Sequence, residues 1–443
     1  MQEGSLGAPA RHDIPWQDEA WYDEDKLDAE LRRVFDICHG CRRCFNLCDS
    51  FPRLFDLIDD SETEMVEDLQ SEDFKPVVEA CTLCDMCFMT KCPYVPPHRF
   101  DLDFPHLMLR ARAVEHRNGG TGFADKQLAK TDRNGALGTA LSGVANWATR
   151  KSNGLTRGAM EAMLGIDKRA HLPRYESKPL TSKAAKAVPS PNSEGPALGR
   201  KAALYATCYA NFNDQTPGKA ALDVLAHNGV LCRVDHPHCC GMPLLENGDL
   251  EGVAEAARAV AAHFGPLIDR GYDVVAVTPS CALMLKFEWP LIVPADEAVA
   301  RLADHTFDLL QYIVEIAKRD GLVPVPEMTG KVALHFACHS RAQNMGAKAI
   351  EMLRLIPGAE PSIVERCSGH GGKWGIMAEN FDVAQKLARP TVRALAKTSP
   401  DYVVSECPLA GPHLKQVMEA TGGDAAPDRI GHPIELLAKA YGF

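Results

Sequence analysis

Apolar residues in the C-terminal half fall into short runs separated by longer stretches of helical period. Residues 202–206, 230–234 and 274–277 are compact apolar runs of strand length, and 217–227 and 249–269 between them read as helices. The order then returns, with strands predicted at 332–336, 362–364 and 402–404 and helices at 346–355 and 379–396. Alternation of this kind implies parallel sheets with right-handed crossovers. The N-terminal third has a different rhythm. Leu27, Leu31, Val34 and Phe35 recur at helical spacing and predict an amphipathic helix running into Cys38. Met65, Val66, Leu69, Phe74, Val77 and Val78, set among many acids, predict a further helical stretch. Residues 104–112 read as a helix with a basic flank. The small, apolar stretch 135–147 reads as a helix packed within the chain, in a partner's groove or at a membrane surface. Residues 178–199, rich in Pro, Ser, Ala and Lys, predict a flexible linker and a domain boundary.

The fold class expected is therefore α+α/β: a helical N-terminal domain followed by two tandem α/β modules with parallel sheets. The divisions are an acidic tail (1–24), a helical domain (25–115), a basic connector and linker (116–200), and modules at 201–325 and 326–443.

The cysteines follow these divisions. The helical domain reads Cys38, Cys41, Cys44, Cys48, or C-x2-C-x2-C-x3-C, and then Cys81, Cys84, Cys87, Cys92-Pro93, or C-x2-C-x2-C-x4-C-P. Two such runs match the two-cluster ferredoxin pattern, in which the fourth cysteine of each run ligates the other run's cluster. Three thiolates on one tight turn reach three iron corners of a cubane, and the fourth must come from elsewhere. Cys38, Cys41, Cys44 and Cys92 are thus expected on one [4Fe-4S] cluster, and Cys81, Cys84, Cys87 and Cys48 on the other. Zinc sites pair two C-x2-C units, so the third cysteine at the same short step is better explained by a cluster. Asp49 in place of a proline after Cys48, and the longer last gap of the second run, depart from the pattern and bear on cluster potential.

In the C-terminal half a cysteine pattern repeats. Cys208, Cys239-Cys240-Gly241 and Cys281 return about 130 residues later as Cys338, Cys367-Ser368-Gly369 and Cys407. Each cysteine follows a predicted strand. Open parallel sheets bind ligands at the carboxyl ends of their strands, so each half should gather its cysteines at one sheet edge. Cys232 lies within a strand and reads as a core cysteine, while His236 and His238 are candidates to tune the first site from outside its ligands.

Composition narrows the class. Net charge is −11, which argues against nucleic-acid binding. Sixteen cysteines with no signal-peptide pattern point to a reducing compartment, where clustered thiols hold metal or do redox work. The expected location is the cytoplasm or the inner face of the cell membrane. No apolar run reaches the length of a membrane span. Residues 13–79 carry 20 acidic and 7 basic residues, whereas 99–201 carry 9 and 18. These are two solvated faces that partly neutralise each other, or a basic surface for an acidic partner or anionic lipid. No Gly-x-Gly-x-x-Gly follows a strand and no P-loop is present, so no nucleotide site is expected.

Taken together, Cys239-Cys240-Gly241-Met-Pro-Leu, Thr278-Pro-Ser-Cys281 and Cys338-His339-Ser-Arg-Ala-Gln-Asn, behind two ferredoxin-type runs, resemble a known family. It includes the C subunit of anaerobic glycerol-3-phosphate dehydrogenase and the B subunit of heterodisulfide reductase. The resemblance covers roughly residues 30–443. It implies that Cys-Cys-Gly modules hold iron–sulfur clusters, some of them non-cubane with five cysteines, and that electrons pass from a flavin subunit towards membrane quinone. The family pattern ends in C-x-x-C, but here Thr278 precedes Cys281 and Val404 precedes Cys407. The first module keeps Cys208, Cys239, Cys240 and Cys281, enough for a third cluster. The second keeps Cys338, Cys367 and Cys407, with His335, His339 and His370 nearby. A mixed site with His339 or His370 is expected there, holding a cluster or zinc, against the alternative of a module that has lost its metal.

The first functional reading is an iron–sulfur electron-transfer subunit, an oxidoreductase component working between a flavoprotein dehydrogenase or similar donor and quinone or another acceptor. The alternative is an enzyme that reduces a disulfide, heterodisulfide or persulfide at a Cys-Cys-Gly cluster.

Overall fold

A computed structural model of the chain describes residues 9–422 and 426–443. Its α/β half contains two parallel sheets. In the first, β1 (Lys201–Tyr205), β2 (Leu231–Asp235), β3 (Tyr272–Ala276) and β4 (Thr306–Asp308) lie in the order β2-β1-β3-β4. In the second, β5 (Gly330–His335), β6 (Ala359–Val364) and β7 (Tyr402–Ser405) lie in the order β6-β5-β7. The repeated cysteine pattern is thus a repeated sheet, with β5 standing where β1 stands. The fourth strand, β4, was missed in the sequence because three residues give no apolar run. Register aligns the strand ends: Tyr205 faces Asp235 and Ala276, and His335 faces Val364 and Ser405. The residues that follow all emerge on one edge of their sheet, so the placement of the cysteines is a consequence of parallel pairing.

The helices form where the pattern expects them, at Thr216–His227, Leu250–Ile268, Lys348–Leu353 and Phe381–Ala396. Asp249 starts the second by accepting from the Gly252 N–H (2.9 Å), relieving one of the unpaired amides of its first turn. The C-terminal helix Pro433–Tyr441 crosses back to the first unit, where the Tyr441 hydroxyl donates to the Val323 carbonyl (2.8 Å).

The N-terminal third is helical, with its longest helix at Glu24–Cys41. Leu27, Leu31, Val34 and Phe35 are its buried face, as their spacing predicts, and Arg42 ends it in the left-handed conformation. These residues share one core with the inner face of the first sheet, including Ala203, Tyr205 and Val274. A second core joins Leu204 and Val275 to Val332, Leu334 and Val404 of the second sheet. The three regions are therefore held together by continuous apolar packing. No helix among the described residues is long and apolar enough to cross a membrane.

The expected flexible linker is instead laid down on the first unit. Leu180, Ala184 and Ala197 are buried, and the Ala197 N–H donates to the Asn228 carbonyl (2.9 Å). Polar composition there reflects backbone and side-chain bonding to the neighbouring helix rather than solvation. The stretch 135–147 lies in helices Thr131–Ala140 and Ser142–Ala148. Its inner face packs tightly, since a Cβ on Gly135 would meet Phe212 and one on Gly138 would meet Tyr175. Its outer face exposes Leu137, Leu141, Val144 and Trp147.

Candidate functional site: a chamber lined by cysteines

The two ferredoxin-type runs are built from tight turns. Cys38 and Cys41 close the helix Glu24–Cys41, and Cys44 and Cys48 follow in turns before helix Ser50–Asp59. In the second run Leu83 and Asp85 take positive φ (48° and 64°), which curls the chain around its cysteines. The longer last gap has a physical cause. Residues Cys87–Lys91 form a π turn, and the Cys92 N–H donates to the Cys87 carbonyl (2.8 Å).

The electrostatic neighbours of these thiols fall into two groups. Burial raises the Cys38 thiol well above its ordinary value, and Cys92, Cys44 and Cys41 raise it further. Burial does the same for Cys48, with Cys84 and Cys81 next. Cys87 is likewise raised by burial and then by Cys84, Cys81, Cys48 and Cys44, so it adjoins both groups. Crowded buried thiols of this kind stay protonated until a cation offsets their mutual repulsion.

In the first α/β unit the four cysteines form an unbroken series of side-chain contacts, Cys208 to Cys239, Cys239 to Cys240 and Cys240 to Cys281. The sulfurs of Cys208 and Cys239 are 3.8 Å apart. Thr207, just before Cys208, sits at φ +60°, an unusual conformation for a β-branched residue. Its hydroxyl lies 3.2 Å from that of Thr278, which occupies the place of the missing cysteine. Gly241 turns the chain at φ +77°, and the Trp289 indole donates to the Cys240 carbonyl (3.1 Å). Cys232 is buried in β2 with the apolar core, as expected.

Sequence reasoning missed Asp132. Its carboxylate accepts from the Cys239 N–H (2.7 Å) and meets His236 Nε2 (2.8 Å), so the connector holds the Cys-Cys-Gly turn. The His238 ring meets the Cys239 carbonyl (3.0 Å). Both histidines thus touch the site's frame. Asp132→Ala is expected to cost about 1.5–3 kcal/mol, the range for a hydrogen bond to a charged group. Denaturant unfolding checks this, and an unchanged midpoint would contradict it.

In the second unit the three histidines differ. His335 is engaged on both sides, with Nδ1 on Ser405 (2.9 Å) and Nε2 on the Arg366 carbonyl (3.2 Å). His339 Nε2 meets the Leu83 carbonyl (3.3 Å), which ties it to the second ferredoxin-type run. His370 has both ring nitrogens buried without a partner. A further histidine, His413, lies beside it with ring centres 6.0 Å apart, and its Nε2 is also unpartnered. Burial pushes His370 down to about 3 and His413 to about 4, so both rings are neutral. Ser368, where the first unit has a cysteine, accepts from the His370 N–H (3.4 Å). Gly369 stands at φ +69°, and a Cβ there would lie 2.2 Å from the Ala384 carbonyl, so glycine is required.

The cysteines at the two sheet edges open on one chamber. Its volume is about 1770 Å³. Cys208, Cys239, Cys240 and Cys281 line it with Cys338, Cys367 and Cys407, and Cys48 and Cys84 reach it from the N-terminal third. Cys338 is raised by burial and then by Cys84, Cys367 and Cys407, and Cys407 in turn feels Cys281. The thiol groups are therefore neighbours in the order first run, second run, second unit, first unit. Among the described residues no three His, Cys, Asp or Glu side chains converge closely enough for a single metal ion. The thiols surround a volume rather than a point.

One carboxyl on the chamber wall is out of the ordinary. Burial pushes Glu246 from 4.5 up to about 7, against the pull of Lys373 and Arg112. Between these values the folded protein keeps a proton that the unfolded chain releases. Its stability should therefore fall as pH rises from 4.5 to about 7. Glu246→Gln is expected to flatten that decline, and an unaltered stability–pH curve would contradict the assignment.

A family model described as the cysteine-rich domain matches residues 202–286 and again 332–415. The chain matches this domain twice. Their boundaries bracket the two repeats of strands and cysteines described above. Over 343 residues the chain is 25% identical to the C subunit of anaerobic glycerol-3-phosphate dehydrogenase from Escherichia coli, covering 77% of this chain and 82% of that protein. It is 27% identical over 216 residues to lactate utilization protein A of a Geobacillus species, covering 46% of this chain and 86% of the relative. The B subunit of the CoM/CoB fumarate reductase from Methanothermobacter marburgensis is 26% identical over 264 residues, which is 56% of this chain and 48% of that protein. The cysteine-rich domains and these redox relatives support iron–sulfur chemistry and a general role in electron transfer.

Proposed function

We propose that the chain is an iron–sulfur electron-transfer subunit whose sites are arranged in the spatial order of its thiol groups. Two [4Fe-4S] clusters sit in a helical ferredoxin domain, on Cys38, Cys41, Cys44 and Cys92 and on Cys81, Cys84, Cys87 and Cys48. A third cluster sits in the first cysteine-rich domain on Cys208, Cys239, Cys240 and Cys281. The second cysteine-rich domain holds a redox-active site on Cys338, Cys367, Cys407 and histidine. The observation that carries this reading is the chain of neighbours through Cys44 and Cys87, Cys84 and Cys338, and Cys407 and Cys281. Thiolates spaced around a volume suit clusters with several iron corners.

The domain divisions of the sequence then acquire roles. The donor is a flavoprotein dehydrogenase or a similar redox protein, and the acceptor is quinone or another oxidant. The exposed row Leu137, Leu141, Val144 and Trp147, flanked by exposed Arg133, Arg150 and Lys151, offers a contact surface for a partner protein or an anionic membrane. Reduction of the anaerobically purified protein by a candidate dehydrogenase and its substrate tests the role. Bleaching of cluster absorbance at a catalytic rate supports it, and bleaching only by dithionite would count against it.

A second reading draws on the chamber itself. Cys367 is exposed, the chamber is large enough for a small molecule beside clusters, and Glu246 can hold a proton there near neutral pH. A reductase would use these features to deliver electrons and protons to a disulfide. Turnover of a small disulfide with an artificial donor and no partner protein would favour this reading over the first.

A further inference from the structure

Six side-chain hydrogen-bonding atoms in the second cysteine-rich domain are buried with nothing to bond. They are Nδ1 and Nε2 of His370, Nε2 of His413, Nε1 of Trp374, Nε2 of Gln385 and Oε1 of Glu406. Folded proteins pair nearly all such atoms, and leaving a polar group orphaned costs about 1–3 kcal/mol. Three of the six belong to two histidines that line the same chamber as Cys338, Cys367 and Cys407. The two repeats supply a second, independent observation. Aligned on their cysteines, Ser368 replaces Cys240, His370 stands where the first repeat has Met242, and His413 stands where it has Phe287. The second repeat has thus lost one thiol and gained two imidazoles at positions that are apolar in the first. His339 and His335 do not share this condition, because Leu83, Ser405 and Arg366 occupy their ring nitrogens.

We infer that His370 and His413 are both ligands of the second domain's iron site, completing with Cys338, Cys367 and Cys407 a set of three thiolates and two imidazoles. This rests on the proposal that the second domain binds redox-active iron, and it goes further by naming His413 and setting His339 aside. The chemistry suits the donors. An imidazole nitrogen accepts a metal readily, and two neutral rings in place of a thiolate lower the negative charge on the site, which raises its potential relative to an all-thiolate cluster. Positions held by a methionine and a phenylalanine in the first repeat would otherwise have little reason to carry buried unpaired nitrogens.

The test uses the full chain, purified without oxygen and labelled with 15N-histidine. Pulsed EPR of the reduced protein reads nitrogen couplings directly. Two inequivalent, strongly coupled histidine nitrogens are expected. His370→Ala and His413→Ala should each remove one, and His339→Ala should leave both. A single strong coupling, or two that survive His413→Ala, overturns the assignment of His413. Zinc in place of iron in the second domain, read by metal analysis of wild type against the Cys338→Ser/Cys407→Ser variant, overturns the iron site. Failure of the iron proposal then shows as metal identity, and failure of the ligand proposal as missing couplings on a site that does contain iron.

Discussion

Replacing Arg11 by glutamine is expected to destabilise the protein by about 3–5 kcal/mol, the range for removing one partner of a buried ion pair. Arg11 lies in the N-terminal tail and is largely buried. Its guanidinium reaches Asp85 (2.6 Å), Asp103 (2.9 Å) and Glu288 (2.9 Å) and stacks over Phe88, 4.5 Å from the ring centre. These carboxylates come from the second ferredoxin-type run, the cap of the helix Phe104–Arg117 after it, and the turn just past the first cysteine-rich domain. His106 adds a contact to Glu288 (3.1 Å). Without Arg11 the buried Asp85 and Glu288 face each other and the half-buried Asp103, with His106 and His339 left to offset them. Asp85 sits between Cys84 and Cys87, so the uncompensated charge should also lower the potential of the cluster proposed there. Denaturant unfolding reads the first effect and redox titration by EPR the second. A variant with wild-type stability and potential would show that the tail is not a clamp.

The second large effect concerns the order of the sites. Cys338→Ser combined with Cys407→Ser is expected to leave the signals of the ferredoxin-type runs and the first cysteine-rich domain in place. Electrons entering at the runs should then no longer reach the first domain on the wild-type time scale. The reason lies in the thiols, since Cys338 feels Cys84 and Cys407 feels Cys281, so the second domain's thiols link the second run to the first domain although they come last in the chain. Rapid-freeze EPR after mixing with a reduced donor would follow the arrival. An unchanged rate would mean that electrons bypass the second domain.

Much of this was legible in the residues. Strands announced themselves as apolar runs, and the cysteines fell at their carboxyl ends because each followed such a run directly. Cys232 was separable from the site because it lies inside a run. What could not be read was how the two sheets face each other. That depends on apolar contacts such as Leu204 and Val275 with Leu334 and Val404, which are far apart in sequence, so the single chamber appears only in the fold. Asp132 and Arg11 were invisible for the same reason, as their partners lie 107 and up to 277 residues away. His413 sits in helix Ala410–Ala420 outside any motif, and only the comparison of the repeats could have singled it out. The linker was misjudged because Pro, Ser and Lys serve equally well in a solvated loop and in a segment pinned by backbone hydrogen bonds.

The proposed function requires a continuous series of four iron–sulfur sites. Iron, zinc and acid-labile sulfide per chain, measured on oxygen-free protein with low-temperature EPR on the same sample, test it most directly. About sixteen irons are expected, with no stoichiometric zinc and an EPR signal beyond those of two ferredoxin clusters and one further cluster. About twelve irons would remove the link through the second domain, and about eight with no zinc would leave the whole C-terminal half without a redox metal.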